Sequence, residues 1–464
     1  MPSPVHVVVL AAGKGTRMKS ARPKVLHTLA GLPMIEHVLR AADPLDAAST
    51  TLVVGHGGDD VRAALAHRPR LSFAVQDSQR GTGDALRRAE PALAGATGTL
   101  LLLYGDVPLI RPHTLELLVN LRESEGVPAV VLTATLDRPY GYGRIVRGDG
   151  GNIDRIVEER DASAGERAIS EINSGIYAFA LEPLFQALGR IASANEQGEF
   201  YLTDIVSTYR QQGQLVRTLH IGDAGEVLGI NTRVELAALE AVLRRRKNEA
   251  LMLDGVTLED PASTFVDTDV TVGADTTLGP MVQLQGRTRV GTGCRVHAGV
   301  RLTDATIEDD VTILDRCVIV RSTVARGAHV GPFAHIRPES TVGAGAHVGN
   351  FVELKKTSLG PGSKANHLAY LGDATIGRDV NVGAGTITCN YDGQAKHRTV
   401  IGDDVFLGSD SMLVAPIRIG HRARTGAGSV VTRDVPDDAT VVGVPARPFP
   451  PVRRPGPDVQ KDGE

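Results

Sequence analysis

The sequence predicts an α/β Rossmann-like unit, then a linker helix, then a left-handed parallel β-helix of hexapeptide repeats. Three patterns predict it. Short apolar runs alternate with helical patterns from residue 4 to about 230. A glycine-rich loop, Gly13-Lys14-Gly15-Thr16-Arg17-Met18, directly follows the apolar run Val5–Leu10. From about residue 255, an aliphatic residue recurs every six positions, which is neither helical nor strand periodicity.

In the first unit, Val5–Leu10, Thr51–Val54, Leu71–Val75 and Leu100–Tyr104 read as strands. Met34–Ala42, Asp59–His67 and Asp84–Glu90 read as the helices between them. Such a mostly parallel sheet binds ligands outside the carboxyl ends of its strands. The Gly13–Arg17 loop and Gly105-Asp106 both lie there. The unit is assigned 1–230. Residues 231–253 read as the linker: Thr232-Arg233-Val234-Glu235 is a capping box, and Leu236, Leu239, Val242 and Leu243 follow at helical spacing. Arg244-Arg245-Arg246-Lys247 reads as a solvated stretch of that helix rather than a nucleic-acid patch.

The β-helix is assigned 254–445. One register runs Val266, Val272, Leu278, Leu284, Val290, Val296, Leu302, and a second runs Val324, Val330, Ile336, Val342, Val348, Leu354. A third covers Ile376, Val382 and Thr388, and a fourth Ile401, Leu407, Leu413, Ile419, Thr425 and Val431. The polar segment Cys389–His397 reads as a loop leaving the solenoid, where function concentrates. A second register break spans Lys355–Leu371. Residues 446–464, rich in proline and charge, are expected to be disordered.

Net charge is −4, so no global basic field exists for nucleic acid. No apolar stretch reaches membrane-spanning length. Cys294, Cys317 and Cys389 lie far apart and form no CxxC pair, which argues against disulfides and zinc and fits a reducing cytosol. Tryptophan is absent and aromatics are 4%, as a solenoid of stacked aliphatics would give.

Two constellations carry chemistry. Around Gly13 and Gly15, backbone N–H groups can close on phosphate oxygens, with Arg17 and Lys24 supplying charge. Asp106, ending an apolar strand, is a hard oxygen ligand suited to Mg²⁺. The loop is neither a Walker A loop nor a dinucleotide fingerprint. The bland alternatives are that Asp106 caps its turn, that Asn231 serves only the helix, and that Glu158 is an ordinary surface carboxylate. On the β-helix, His367 is the best candidate base, beside Lys364, Asn366 and Tyr370, because the imidazole group has an intrinsic pKa of roughly 6.5 that suits general-base work near neutrality. His329 and His347, eighteen apart, are expected to stack on one edge as structure.

The motifs Leu10–Met18, Pro23-Lys24, Gln76, Gly81-Thr82-Gly83, Tyr104-Gly105-Asp106, Gly141–Arg144, Ile156–Glu158, Glu171–Gly175 and Gly229–Asn231 resemble sugar-1-phosphate nucleotidyltransferases. With Gly349–Lys356, Leu371–Asp373, Asn381–Thr386 and Cys389–Gly393, the chain resembles one family from about Val5 to Val444. That family is the bifunctional N-acetylglucosamine-1-phosphate uridyltransferase / glucosamine-1-phosphate N-acetyltransferase.

The resemblance implies that Leu10, Ala11, Ala12, Gly13, Gln76, Gly81 and Thr82 hold uridine, within a UDP-N-acetylglucosamine site that includes Tyr104 and Gly105. Arg17 and Lys24 face the phosphates. Gly143, Glu158 and Asn173 hold the amino sugar. Asp106 and Asn231 bind Mg²⁺. Arg337, Lys355, Tyr370 and Asn381 bind glucosamine-1-phosphate, and His367 deprotonates its amine. Ala384, Asn390, Tyr391, Ser409 and Ala427 contact acetyl-CoA. At Val444 the chain departs from the family's arginine, leaving nearby Arg447 for that contact. UTP and acetyl-CoA are the implied co-substrates, in a cytoplasmic homotrimer with the acetyl sites between subunits.

Two rivals are a single-activity sugar-1-phosphate nucleotidyltransferase with a scaffolding β-helix, and a non-catalytic sugar-nucleotide-binding subunit. The first lacks the Lys355, His367, Tyr370 and Asn390-Tyr391 set, and the second is expected to lose the charged loop residues or the metal ligand, whereas Arg17, Lys24, Asp106 and His367 are all present here.

Overall fold

The computed structural model describes residues 3–193 and 195–449. It divides into two compact units, Met1–Leu243 and Arg244–Glu464.

The main sheet of the first unit holds β1 (Val5–Ala11), β2 (Ser49–Val54), β3 (Leu71–Val75), β4 (Thr99–Tyr104), β5 (Ala129–Thr135), β6 (Gly143–Arg147), β7 (Ile153–Val157), β8 (Glu171–Ala180) and β9 (Val216–Ile221). The sheet order is β9-β5-β8-β4-β1-β2-β3, with β6 pairing β8 and β7. All neighbours along this path are parallel except β8, which runs against β4 and β5. Alternation along β1 divides the core. Val7 and Val9 pack with Ile35, Leu39, Leu115 and Leu118 on one face, and Val8 and Leu10 with Leu86, Leu184 and Ile205 on the other. Helices therefore cover both faces, and the carboxyl ends of β1 and β4 stay free for the site.

The helix Arg233–Leu253 begins at the expected capping box. Glu235 N donates to Thr232 Oγ1 at 3.2 Å, and Glu235 Oε2 accepts from Thr232 N at 2.8 Å and from Asn231 N at 2.6 Å. The basic run is less solvated than expected. Arg244 stacks 4.2 Å over the Phe265 ring, and Lys247 Nζ donates to the carbonyls of Thr268 and Val270 at 3.1 and 2.7 Å. Long aliphatic stems let these cations lie against apolar surface while their heads find acceptors.

The second unit is a solenoid of three sheets with twelve, ten and nine strands, parallel throughout except for the last strand of the twelve. Inward aliphatics stack from coil to coil: Leu278 on Val296, Ile313, Val330 and Val348, and Leu284 on Leu302, Ile319, Ile336 and Leu354. All of these are at most 1% exposed, so they form one continuous core. The register breaks have two causes. Leu302 pairs with Ile319 and Val290 with Ile307, so some sides are one residue short and the repeat shifts phase without leaving the solenoid. Lys355–Leu371 is such a shift and not an excursion, because the strands Ser358–Leu359, Lys364–His367 and Tyr370–Gly372 carry the coil through it. Residues 390–398 are a true insertion, since Val382 pairs with Leu407 across it. His329 and His347 stack as expected, with ring centroids 5.0 Å apart.

The expectation of disorder from residue 446 does not hold at its start. Ala446–Pro448 pairs antiparallel with Thr440–Gly443, matching Val442 to Arg447, so the last rung's backbone is satisfied by a hairpin. Residues 450–464 lie outside the described residues.

Candidate active sites

Loops at the carboxyl ends of β1 and β4 open a cleft of about 410 Å³. Leu10, Ala11, Ala12, Gly13 and Lys24 line one side of it. Gln76, Gly81, Thr82, Tyr104, Asp106 and Glu158 line the rest. One glycine here is demanded by geometry, and a second is closely packed. Gly81 sits at φ 100°, and a Cβ there would lie 2.6 Å from the Phe200 carbonyl oxygen. A Cβ on Gly105 would press to 3.1 Å from Val25, where its N–H donates to Leu10 O at 3.0 Å. At Gly13, by contrast, a Cβ would meet only open space, so the loop backbone is accessible from the cleft.

Lys24 Nζ ion-pairs with Asp106 Oδ2 and donates to Asn231 Oδ1 at 3.2 Å. Arg17 Nη2 donates to the same Asn231 oxygen at 2.9 Å. A carboxylate and an amide oxygen thus converge on one cation position. Asp106 spends its side chain on this contact, and Asn231 serves both the site and, through its N–H, the helix entry.

The sugar-side residues also converge. Gly143 and Asn173 are register partners between β6 and β8, and a Cβ on Gly143 would be 3.6 Å from Glu158 Oε2. Burial, then the charges of Asp204, Asp161 and Glu199, push the Glu158 pKa up against the opposing bond from Thr203 Oγ1 at 3.1 Å. Glu158 is therefore not an ordinary surface carboxylate. Burial, followed by the charges of Glu158 and Asp106, raises the Tyr104 phenol, so it stays neutral.

On the solenoid, the His367 ring meets Asn350 Oδ1 through Nδ1 at 2.7 Å. With the amide oxygen facing it, Nδ1 is the donor and Nε2 keeps the free lone pair. Around the corner, Lys355 Nζ pairs with Asp373 Oδ2 at 2.9 Å. Asn390 Nδ2 donates to the same Asp373 oxygen at 2.5 Å and to the Tyr370 hydroxyl at 3.4 Å. Burial opposes the Asp373 charge, but the bonds from Lys355 and Asn390 outweigh it and lower its pKa. Thr388, buried in the core, accepts from Gly372 N at 2.7 Å and ties this wall to the next coil. Arg337 Nη1 pairs with Glu353 Oε1 at 2.8 Å, and Glu353 is register partner to Tyr370. Asn381 is register partner to Lys364, on the strand that ends at His367.

Ala384, Ser409 and Ala427 occupy one corner on successive coils, joined by Asp410 N to Ala384 O at 2.6 Å and Gly428 N to Ser409 O at 2.8 Å. Tyr391 is 60% exposed, and its hydroxyl donates within its own loop to Gly393 O at 2.6 Å. Arg447 is exposed, and its guanidinium donates locally, to Ala446 O at 3.1 Å. Val444 is 72% exposed at the adjoining hairpin turn.

Sequence reasoning missed several groups. Gln79 Nε2 donates to Ala12 O at 2.5 Å and lines the nucleotide cleft, as do Gln197, Glu199 and Tyr201. The last three arrive on a loop with no periodicity to mark them. Asn350 lay within a quoted motif, but nothing in the sequence showed it facing His367. Lys396 lies beside Lys355, whose side-chain hydrogen bond and then charge lower the Lys396 pKa, so the inserted loop brings a second amine to this wall.

Among the described residues no group of three or more His, Cys, Asp or Glu could hold a metal ion, and no helix is long and apolar enough to cross a membrane. The three cysteines are free.

Residues 7–252 match the MobA-like NTP transferase domain family, and residues 398–433 match the bacterial transferase hexapeptide family. The bifunctional protein GlmU of Pelobacter propionicus is 47% identical over 432 residues, covering 93% of this chain and 94% of the relative. That of Streptococcus suis is 48% identical over 438 residues, covering 94% and 95%. Geobacter metallireducens GlmU is 46% identical over 473 residues, covering 98% and 97%. With a nucleotidyl-transfer unit followed by a hexapeptide transferase unit, the chain belongs to the bifunctional GlmU family.

Proposed function

We propose that the chain makes UDP-N-acetylglucosamine in two steps, as precursor for cell-wall and other glycans. The β-helix acetylates glucosamine-1-phosphate from acetyl-CoA, and the α/β unit couples the product to UTP and releases pyrophosphate. The observation that carries this reading is that each unit assembles its own reactive set. Lys24, Arg17, Asp106 and Asn231 form one, and His367–Asn350 with Lys355, Asp373, Asn390 and Tyr370 form the other.

On the β-helix, His367 Nε2 accepts a proton from the substrate ammonium or attacking amine, while the Nδ1 bond to Asn350 fixes the ring. The amine nitrogen attacks the thioester carbonyl, the tetrahedral oxyanion collapses with cleavage of the C–S bond, and coenzyme A leaves as the thiol, taking the proton that His367 accepted. Arg337 and Lys355 bind the sugar phosphate, and Tyr370 and Asn381 orient the ring. The corner of Ala384, Ser409 and Ala427 offers small side chains against which coenzyme A can lie.

In the cleft, a phosphate oxygen of N-acetylglucosamine-1-phosphate attacks the α-phosphorus of UTP and pyrophosphate departs in line. The Ala12–Gly13 backbone, Gln76, Gly81 and Thr82 seat the nucleotide. Glu158, Asn173 and Gly143 hold the sugar. Arg17 and Lys24 neutralise charge on the leaving group. Asp106 and Asn231 would hold Mg²⁺, because they are two hard oxygens already converging on a cation position. When bound, it supplies charge neutralisation to the phosphates.

The proposed assembly is a cytoplasmic homotrimer in which the 389–399 loop reaches a neighbouring β-helix. The free cysteines, two of them buried, fit a reducing compartment. The test is an omission series on purified protein with glucosamine-1-phosphate, acetyl-CoA, UTP and Mg²⁺, followed by mass spectrometry. The complete mixture is expected to give UDP-N-acetylglucosamine, and omission of UTP to stop at N-acetylglucosamine-1-phosphate. Failure to acetylate would reduce the β-helix to a scaffold.

A further inference from the structure

The cation position between Asp106 and Asn231 is filled by the protein's own ammonium. Lys24 Nζ bonds both Asp106 Oδ2 and Asn231 Oδ1, and Arg17 holds the same Asn231 oxygen. The side chains of Lys24 and Asp106 are only 12% and 18% exposed, so water screens this arrangement weakly.

The segments that carry the two oxygens are tied together, and the oxygens stand on short side chains. Ile230 N donates to Asp106 O at 2.9 Å, and Asn231 N donates to Glu235 Oε2 at 2.6 Å, which ties both segments to each other and to the helix entry. Lys24, by contrast, reaches the pair on a long flexible stem. Its root lies beside the phosphate-facing loop, where a Cβ on Gly15 would come within 2.7 Å of Lys24 Cβ. From that root the ammonium can serve either the oxygen pair or phosphates above the loop.

We propose that Lys24 is an exchangeable internal cation. It occupies the metal position in the nucleotide-free enzyme and vacates it when the triphosphate draws Lys24 and Arg17 away. The inference rests on reading Asp106 and Asn231 as the metal ligands. An ammonium and a divalent ion in contact with the same two oxygens repel strongly at low local dielectric, so their occupancies exclude each other. Nucleotide and metal affinities are then coupled through Lys24, and by linkage the coupling is reciprocal.

The test is binding of Mn²⁺ to the nucleotide-free full chain, read by electron paramagnetic resonance. Lys24→Met is expected to bind Mn²⁺ about tenfold tighter than wild type, and Lys24→Met/Asp106→Asn to lose that gain. Lys24→Arg keeps a cation and is expected to bind as weakly as wild type. Lys24→Gln replaces the methionine variant if a melting curve shows that variant unfolded. Unchanged affinity in Lys24→Met, with binding still dependent on Asp106, would overturn the exchange and leave the ligand reading standing. A gain that survives Asp106→Asn would overturn both. A gain in Lys24→Arg would also overturn the exchange, since no charge was removed.

Discussion

The two units solve the problem of holding a charged sugar phosphate in opposite ways. In the α/β unit, loops from several strand ends fold over one cleft, and its charges are partly withdrawn from water. In the solenoid, every coil presents a straight wall. Candidate groups stand on it from successive coils, with His367 and Tyr391 exposed and the Lys355–Asp373 pair set into the wall. A doubly wound sheet makes concavity from its own connections. A β-helix has little concavity of its own, so an inserted loop or another copy must cover the wall. The loop with Asn390, Tyr391 and Lys396 is the only long insertion among the described coils.

If the sites are independent, one substitution should silence one and spare the other. Asp106→Asn is expected to lower pyrophosphate formation at least about 100-fold, as removal of a charge-stabilising group does. Thiol release from acetyl-CoA should stay at wild-type rate, and a parallel fall in both would break the comparison.

Two half-buried carboxylates, one in each unit, sharpen the contrast because their shifts have opposite signs. Glu158 has a raised pKa, so the folded state binds more protons than the unfolded one between the two values. Its contribution is therefore best below the unfolded carboxylate value of about 4.3 and is lost as pH rises through the folded value. Glu158→Gln should raise the melting temperature near neutrality more than at pH about 4, while raising KM for the sugar phosphate. An equal effect at both pH values would contradict the burial argument.

Asp373 has a lowered pKa, so its contribution is present above the unfolded value of about 3.9 and disappears as pH falls through the folded one. Asp373→Asn should flatten the wild type's loss of melting temperature in acid. The smallest effect is expected at the helix entry, where Thr232→Ala should cost about 1 kcal/mol by denaturant unfolding and leave both activities in place.

Most of the architecture was legible because its signals are periodic. Alternation along β1, the capping box at Thr232 and Glu235, and the aliphatic ladder of the solenoid each follow from one rule repeated. What repetition does not encode was misread or missed. A side shortened by one residue looks like a break, as at Lys355–Leu371, because phase is lost although the coil continues. A proline-rich end looks disordered, but Arg447 lies on a strand because the last rung's backbone needs partners. Lys24, Asp106 and Glu158 were named from motifs, whereas Glu199 and Tyr201 reach the same cleft from a patternless loop. Asn350 needed the coil register to put it opposite His367.

The most direct test of two separate active sites is a paired assay on wild type, Asp106→Asn and His367→Ala. Thiol release is read from glucosamine-1-phosphate and acetyl-CoA, and pyrophosphate from UTP and N-acetylglucosamine-1-phosphate with Mg²⁺. A double dissociation is predicted: His367→Ala loses thiol release by about 100-fold or more and keeps pyrophosphate formation, and Asp106→Asn does the reverse. Thiol release that persists in His367→Ala, or loss of both activities in either variant, would contradict it.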